Sequence, residues 1–137
     1  MPVAELTEPE LALWGERFGR DLALPAFVTL RGDLGAGKTS LVRSIGRSQG
    51  ALEPLTSPSY GLVREYQSPR GTVIHVDLYR LSGPDELHQI GWEEILKSRG
   101  LVMVEWPERA VGALPARSIA LLLEHVEGRP DVRRLTW

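Results

Sequence analysis

Residues 32–39 read Gly32-Asp33-Leu34-Gly35-Ala36-Gly37-Lys38-Thr39, a glycine, four further residues and then Gly-Lys-Thr. No other stretch of the chain restricts its fold so tightly. Glycines are needed there because the backbone must curl until successive amide N–H groups converge, and side chains would block that approach. Ahead of the loop, Phe27-Val28-Thr29-Leu30 is a β-rich run behind a proline and predicts a buried strand. Behind it, Lys38 to Gln49 carries Leu41, Val42 and Ile45 on one face and predicts a helix, whose N-terminus turns its partial positive charge toward the loop. Strand, glycine-rich loop and helix in this order make a P-loop. Residues 32–40, Ser40 included, then form a cradle for the phosphates of a nucleotide. Lys38 reaches the β- and γ-phosphates, and the Thr39 hydroxyl ligates the Mg²⁺ that bridges them.

Around this unit the chain predicts alternating helical and strand-like segments. Thr7-Glu8-Pro9-Glu10 has the form of a capping box, and Leu11, Trp14, Phe18 and Leu22 follow at helical spacing, so the first element is expected to be an amphipathic helix ending near Leu24-Pro25. Tyr60–Tyr66 and Thr72–Tyr79, joined by Ser68-Pro69-Arg70-Gly71, predict an antiparallel hairpin. Gly83-Pro84-Asp85-Glu86 reads as a helix start, with Gly91 breaking the segment before Trp92–Lys97. Leu101–Val104 predicts a buried strand ending in Glu105, and Ile119–Val126 with Val132–Trp137 a last hairpin around Gly128-Arg129-Pro130-Asp131. The sum is an α/β fold: a three-layer, P-loop NTPase-like domain over residues 1–137 with a mixed parallel and antiparallel central sheet.

Composition removes several other functions. Sixteen Lys and Arg against eighteen Asp and Glu leave a formal charge of -2, so no bulk basic surface for wrapping nucleic acid is present. The absence of cysteine excludes disulfides, thiolate zinc sites, iron–sulfur clusters and thiol catalysis. His75, His88 and His125 lack the spacing of a zinc protease, so no structural metal is expected. The acidic start of the chain and the shortness of Leu22–Leu30, interrupted by Pro25, predict a cytoplasmic protein without a membrane segment.

A P-loop needs a further acid at a strand end to hold the metal or orient the attacking water. Glu105 closes Leu101-Val102-Met103-Val104, and Asp77 closes Val73-Ile74-His75-Val76. Glu105 is assigned to Mg²⁺, directly or through water, and Asp77 to water positioning or the second shell of the metal; on sequence the two roles are interchangeable. With Lys38 they form the candidate catalytic set. The guanine-reading Asn-Lys-x-Asp signature requires an asparagine, and the chain has none, so ATP is favoured over GTP. Ser57-Pro58-Ser59-Tyr60 lies where P-loop switch proteins place a segment that senses the γ-phosphate. For His75 the default is a hydrogen-bonded strand residue. For Tyr79, Trp92 and Trp106 it is a place in the core.

Taken together, Gly-Asp-Leu-Gly-Ala-Gly-Lys-Thr at 32–39, Ser-Pro-Ser-Tyr at 57–60, His-Val-Asp-Leu-Tyr-Arg-Leu at 75–81 and Val-Glu-Trp-Pro-Glu at 104–108 resemble the TsaE (YjeE) family. The resemblance implies an ATPase that supports formation of N6-threonylcarbamoyladenosine on tRNAs reading codons that begin with A. It implies partners TsaD and TsaB, with tRNA met through the complex. It also implies nucleotide and metal functions for Lys38, Thr39, Asp77 and Glu105, and a switch role for the Ser57–Tyr60 segment, where Ser59 replaces the family's threonine and keeps a hydroxyl. Thr7, Glu8 and Arg129 are implied to approach the adenosine end. The isolated domain shows no lid and no positioned arginine, so slow hydrolysis that the partners complete is expected. Two alternatives remain on sequence, a nucleotide-gated binding module with incidental turnover and a small-molecule kinase.

Overall fold

The computed structural model describes residues 1–51 and 63–137. The described strands and helices run β1 (Val3–Thr7), α1 (Glu8–Asp21), β2 (Ala26–Arg31), α2 (Lys38–Ser48), β3 (Val63–Ser68), β4 (Gly71–Asp77), α3 (Trp92–Leu96), β5 (Leu101–Glu105), β6 (Ile119–Val126) and β7 (Arg129–Thr136), with 3₁₀ segments at Pro84–Ile90 and Pro107–Ala110. All seven strands join one sheet in the order β1-β7-β6-β2-β5-β4-β3. The central strands β6, β2, β5 and β4 are mutually parallel, while β7, β1 and β3 add antiparallel edges. This is the expected α/β fold with a mixed sheet.

The central strands are apolar along nearly their whole length because both of their faces are covered. In β2 only Arg31 is exposed, and in β5 every residue, Glu105 included, is buried. One face packs on α1 and α2 through Leu11, Leu41, Val42 and Ile45 against Val28, Leu30, Met103 and Leu121. The other packs on the 3₁₀ segment and α3 through Leu87, Trp92 and Ile95 against Phe27, Val76, Val102 and Val104.

Several boundaries differ from the sequence expectation. The first element is a strand rather than a helix: Val3–Thr7 pairs with Thr136–Val132 at the far end of the chain, a partner that local pattern cannot reveal. The capping box then forms as expected, Thr7 Oγ1 accepting from the Glu10 amide and Glu10 Oε1 from the Thr7 amide. Helix α1 stops at Asp21, before Leu24-Pro25, where Leu22 takes an extended conformation. Strand β4 ends at Asp77 rather than Tyr79, because Asp77 Oδ1 accepts from the Tyr79 amide at 3.0 Å and bends the chain away. Strand β7 begins at Arg129, so the last turn is shorter than expected. The segment after Gly83 is a 3₁₀ helix, and Gly91 separates it from α3 as expected. The hairpin start at residues 60–62 lies outside the described residues.

Candidate nucleotide site

The parallel register brings the loop and both acids to one edge of the sheet. Leu30, the penultimate residue of β2, is opposite Glu105, and Glu105 is opposite Asp77. The carboxyl ends of β2, β5 and β4 therefore stand side by side, the place where parallel sheets bind ligands. A cleft of about 310 Å³ opens there, lined by Leu34–Ser40, Asp77, Tyr79, Glu105 and Trp106. Lys38, Thr39, Asp77 and Glu105 thus share one wall-to-wall space.

The loop is held in shape by its own backbone. The Ala36 amide donates to the Asp33 carbonyl at 3.0 Å, and the Leu41 amide to the Gly37 carbonyl at 3.1 Å. At Gly32 φ is 154° and an added Cβ would lie 2.5 Å from the Leu123 carbonyl oxygen, so β6 leaves room for hydrogen only. At Gly35 φ is 80° with open space around it, so only the conformation demands glycine.

Lys38 is 6% exposed at the first residue of α2. Its ammonium donates to the carbonyls of Gly32 and Asp33, and it stands 3.9 Å from the centroid of the Trp106 ring. Burial pushes its pKa below the ordinary lysine value, and the carboxylates of Glu105, Glu108, Asp77 and Asp33 work in the opposite direction. Asp77 is shifted upward, first by burial and then by the like charge of Glu105, against the lowering effect of the Tyr79 amide and the His75 and Lys38 charges. Glu105 is 3% exposed, and His75, which is fully buried, meets its Oε2 through Nε2 at 2.6 Å.

A second cleft of about 240 Å³ lies against the same loop, lined by Glu8, Leu11, Gly35–Gly37, Ser40, Pro130, Asp131 and Arg133. Of the residues implied for an adenosine end, Glu8 lines it. Thr7 is engaged in the cap of α1, and Arg129 donates to Glu5 Oε1 at 3.4 Å. The switch candidates Ser57, Pro58, Ser59 and Tyr60 lie outside the described residues.

Three features of the site were not read from sequence. Tyr79 is 46% exposed rather than a core residue, and its ring and that of Trp106, 5.0 Å apart, form one flank of the cleft; of Tyr79, Trp92 and Trp106, Trp92 alone is buried in the core as expected. Arg133, from β7, donates to the Ala36 carbonyl through Nε at 3.2 Å and to the Gly35 carbonyl through Nη2 at 3.4 Å. Adjacency to Glu105 could have flagged Trp106, whereas no local signal separates Arg133 from Arg134, which pairs with Glu5.

The donor set suits a nucleotide with its metal. A glycine-bearing loop leading into the N-terminus of an eleven-residue helix, with Lys38 beside it, matches a chain of phosphates. Hydroxyl and carboxylate oxygens from Thr39, Asp77 and Glu105 are the ligands a hard cation takes. Among the described residues no group of three or more His, Asp or Glu could hold a metal unaided.

Fold and site together define an α/β protein of P-loop-like fold. Comparison with known proteins carries the assignment further. The family model described as "Threonylcarbamoyl adenosine biosynthesis protein TsaE" matches residues 6–134. The chain belongs to the TsaE family. Curated relatives named "tRNA threonylcarbamoyladenosine biosynthesis protein TsaE" include that of Rickettsia bellii, 36% identical over 94% of this chain and 88% of its own, and that of Treponema pallidum, 35% identical over 83% and 84%. The Nostoc relative is 41% identical over 69% of this chain, and the match spans 60% of that protein's length. The crystal structure of Bacillus subtilus YdiB superposes with a TM-score of 0.71 over 98% of this chain and 85% of that one, at 24% identity, a likeness of fold. Among the described residues no helix is long and apolar enough to cross a membrane.

Proposed function

We propose that this chain binds ATP with Mg²⁺, hydrolyses it to ADP and phosphate, and by doing so supports N6-threonylcarbamoyladenosine formation on tRNAs reading codons that begin with A, together with TsaD and TsaB. The observation that carries the reading is the convergence of Lys38, Asp77 and Glu105 on one cleft at the carboxyl ends of β2, β4 and β5. The relatives' names support the pathway, and this geometry supports the chemistry.

Backbone amides of the loop and the α2 N-terminus receive the phosphates, since preorganised N–H dipoles stabilise charge there without reorganising. Lys38 leaves the Gly32 and Asp33 carbonyls to pair with phosphate oxygens. Thr39 and one of the two acids would hold Mg²⁺, which when bound would neutralise phosphate charge. The other acid orients the attacking water; with Glu105 on the metal, Asp77, opposite it at the same edge of the sheet, takes that role. No arginine is aimed at the cleft among the residues that line it. Hydrolysis by the chain alone is accordingly slow, and docking on TsaD and TsaB supplies what the cleft lacks.

The test is phosphate release from ATP, with and without TsaD and TsaB, with Lys38→Ala as the blank. Release that the partners stimulate and Lys38→Ala abolishes is expected. Absent lysine-dependent release with retained ADP binding would overturn the ATPase in favour of a nucleotide-gated binding module. A phosphorylated small-molecule product would indicate a kinase.

A further inference from the structure

His75 is a fully buried histidine in the middle of a β-strand, and such a residue needs partners for its ring nitrogens. Main-chain carbonyls would serve a merely structural histidine as well as any other acceptor. Here Nε2 is instead directed at the carboxylate of Glu105, at 2.6 Å, and Glu105 is itself 3% exposed. The register explains how they meet. His75 is opposite Met103 and Asp77 is opposite Glu105, so one step along the same face of the sheet separates the ring from the acid. Glu105 and Asp77 line the cleft, and His75 does not.

We propose that His75 is a positioning residue for Glu105. It donates Nε2–H to Oε2, fixes the plane of the carboxylate, and leaves Oε1 as the oxygen offered to metal or water in the cleft. The inference rests on the reading of Glu105 as an acid of a nucleotide-hydrolysing site. The torsion that spins a glutamate carboxylate is broad and nearly two-fold, so an untethered Glu105 would sample orientations that point neither oxygen correctly. A single short hydrogen bond from a ring that is itself immobilised by burial removes that freedom. Groups that hold a ligating carboxylate from behind contribute about 10–100-fold to metal affinity or activity.

The experiment uses the full chain with TsaD and TsaB. It compares His75→Leu, His75→Gln, Glu105→Gln and the double variant His75→Leu/Glu105→Gln. The glutamine amide can place an N–H near the position of the ring Nε2–H. His75→Leu is expected to lower kcat about 10–100-fold, with metal-free ADP affinity held, and His75→Gln to recover most of the loss. The double variant is expected to be no slower than the slower single one, because both changes break the same link. Calorimetry gives a second readout: the gain in ADP affinity on adding Mg²⁺ falls in His75→Leu and returns in His75→Gln. Should His75→Leu fail to fold, His75→Asn, whose shorter amide does not reach Glu105, replaces it in the contrast with His75→Gln. Unchanged kcat and Mg²⁺ gain in the leucine variant, equal impairment of the glutamine variant, or additive losses in the double variant would each overturn the proposal. If the wild-type chain shows no Lys38-dependent hydrolysis, the ATPase reading fails, and the calorimetric contrast still decides whether His75 acts on Glu105.

Discussion

The Lys38 ammonium lies 3.9 Å from the centroid of the Trp106 ring, and Trp106 is the one non-glycine residue with positive φ, 59°, among those described. A left-handed conformation at a bulky residue costs of order 1–3 kcal/mol and persists only where the surroundings enforce it. Here the ring packs against Tyr79, and the Trp106 carbonyl accepts from the Arg109 amide at 3.1 Å to start the 3₁₀ segment. The strand end that delivers Glu105 therefore also lays an aromatic face over the loop lysine.

Nucleotide binding should be visible at that face. When Lys38 moves from the indole to a phosphate, the surroundings of Trp106 change, and tryptophan emission is expected to shift on titration with ADP and Mg²⁺. Trp106→Phe should remove most of the signal while ADP still binds by calorimetry. An undiminished signal in that variant would show that the shift arises at Trp14, Trp92 or Trp137 and would contradict a change at Trp106.

The alkaline side of the binding curve should report Lys38. Because burial lowers its pKa from the ordinary 10.5, the free protein loses this charge at a lower pH than an exposed lysine does. ADP affinity is expected to fall as pH rises through that lowered value, and binding there should take up a proton as the phosphates restore the charge. The folding term has the opposite sign: above the lowered pKa the unfolded chain holds more protons, so Lys38 makes stability rise with pH. Calorimetry in two buffers of different ionisation heat measures the uptake; its absence, or an unchanged pH dependence in Lys38→Arg, would contradict the assignment.

At acid pH the cap of α1 should weaken. The Thr7 amide and hydroxyl hold the Glu10 carboxyl below its ordinary value of 4.5, so its contribution to stability is present above that value and is lost as pH falls through the folded one. Glu10→Gln should flatten this part of the curve of Tm against pH. Thr7→Ala should lower stability by about 1 kcal/mol at neutral pH, measured by urea unfolding.

The two loop glycines should separate by mechanism. Gly32→Ala meets both the positive φ and the Leu123 carbonyl, and is expected to lose more than about 2 kcal/mol. Gly35→Ala meets only the conformational penalty, about 1–2 kcal/mol, and has open space around it. Equal losses in urea unfolding would mean that β6 yields and the close approach does not matter.

Much of the site was legible before folding because its chemistry is local. The turn-forming glycines, the lysine one step into a helix, the acids that end apolar runs and the capping box all depend on residues a few positions apart. The strand, loop and helix around 32–40, the strand end at 105 and the cap at 7–10 form as expected. Strand β1 was missed for the converse reason: nothing within Val3–Thr7 announces a partner at Val132–Thr136. The end of β4 was misplaced because a side-chain acceptor, Asp77 Oδ1, takes the Tyr79 amide away from the sheet.

What sequence alone determined was the local frame of the candidate site, a strand leading through a glycine-bearing loop into a helix with a lysine and a threonine at its start. Strand order was decided only in three dimensions. By inserting β5 between β2 and β4, the sheet sets Glu105 beside both Leu30 and Asp77 although these residues are far apart along the chain. The same register buries His75 against Glu105 and lays Trp106 over Lys38, while β7 carries Arg133 to the loop carbonyls. These contacts depend on which strands pair and in what register, and pairing is settled by burial of both faces of the whole sheet rather than by any short stretch of residues.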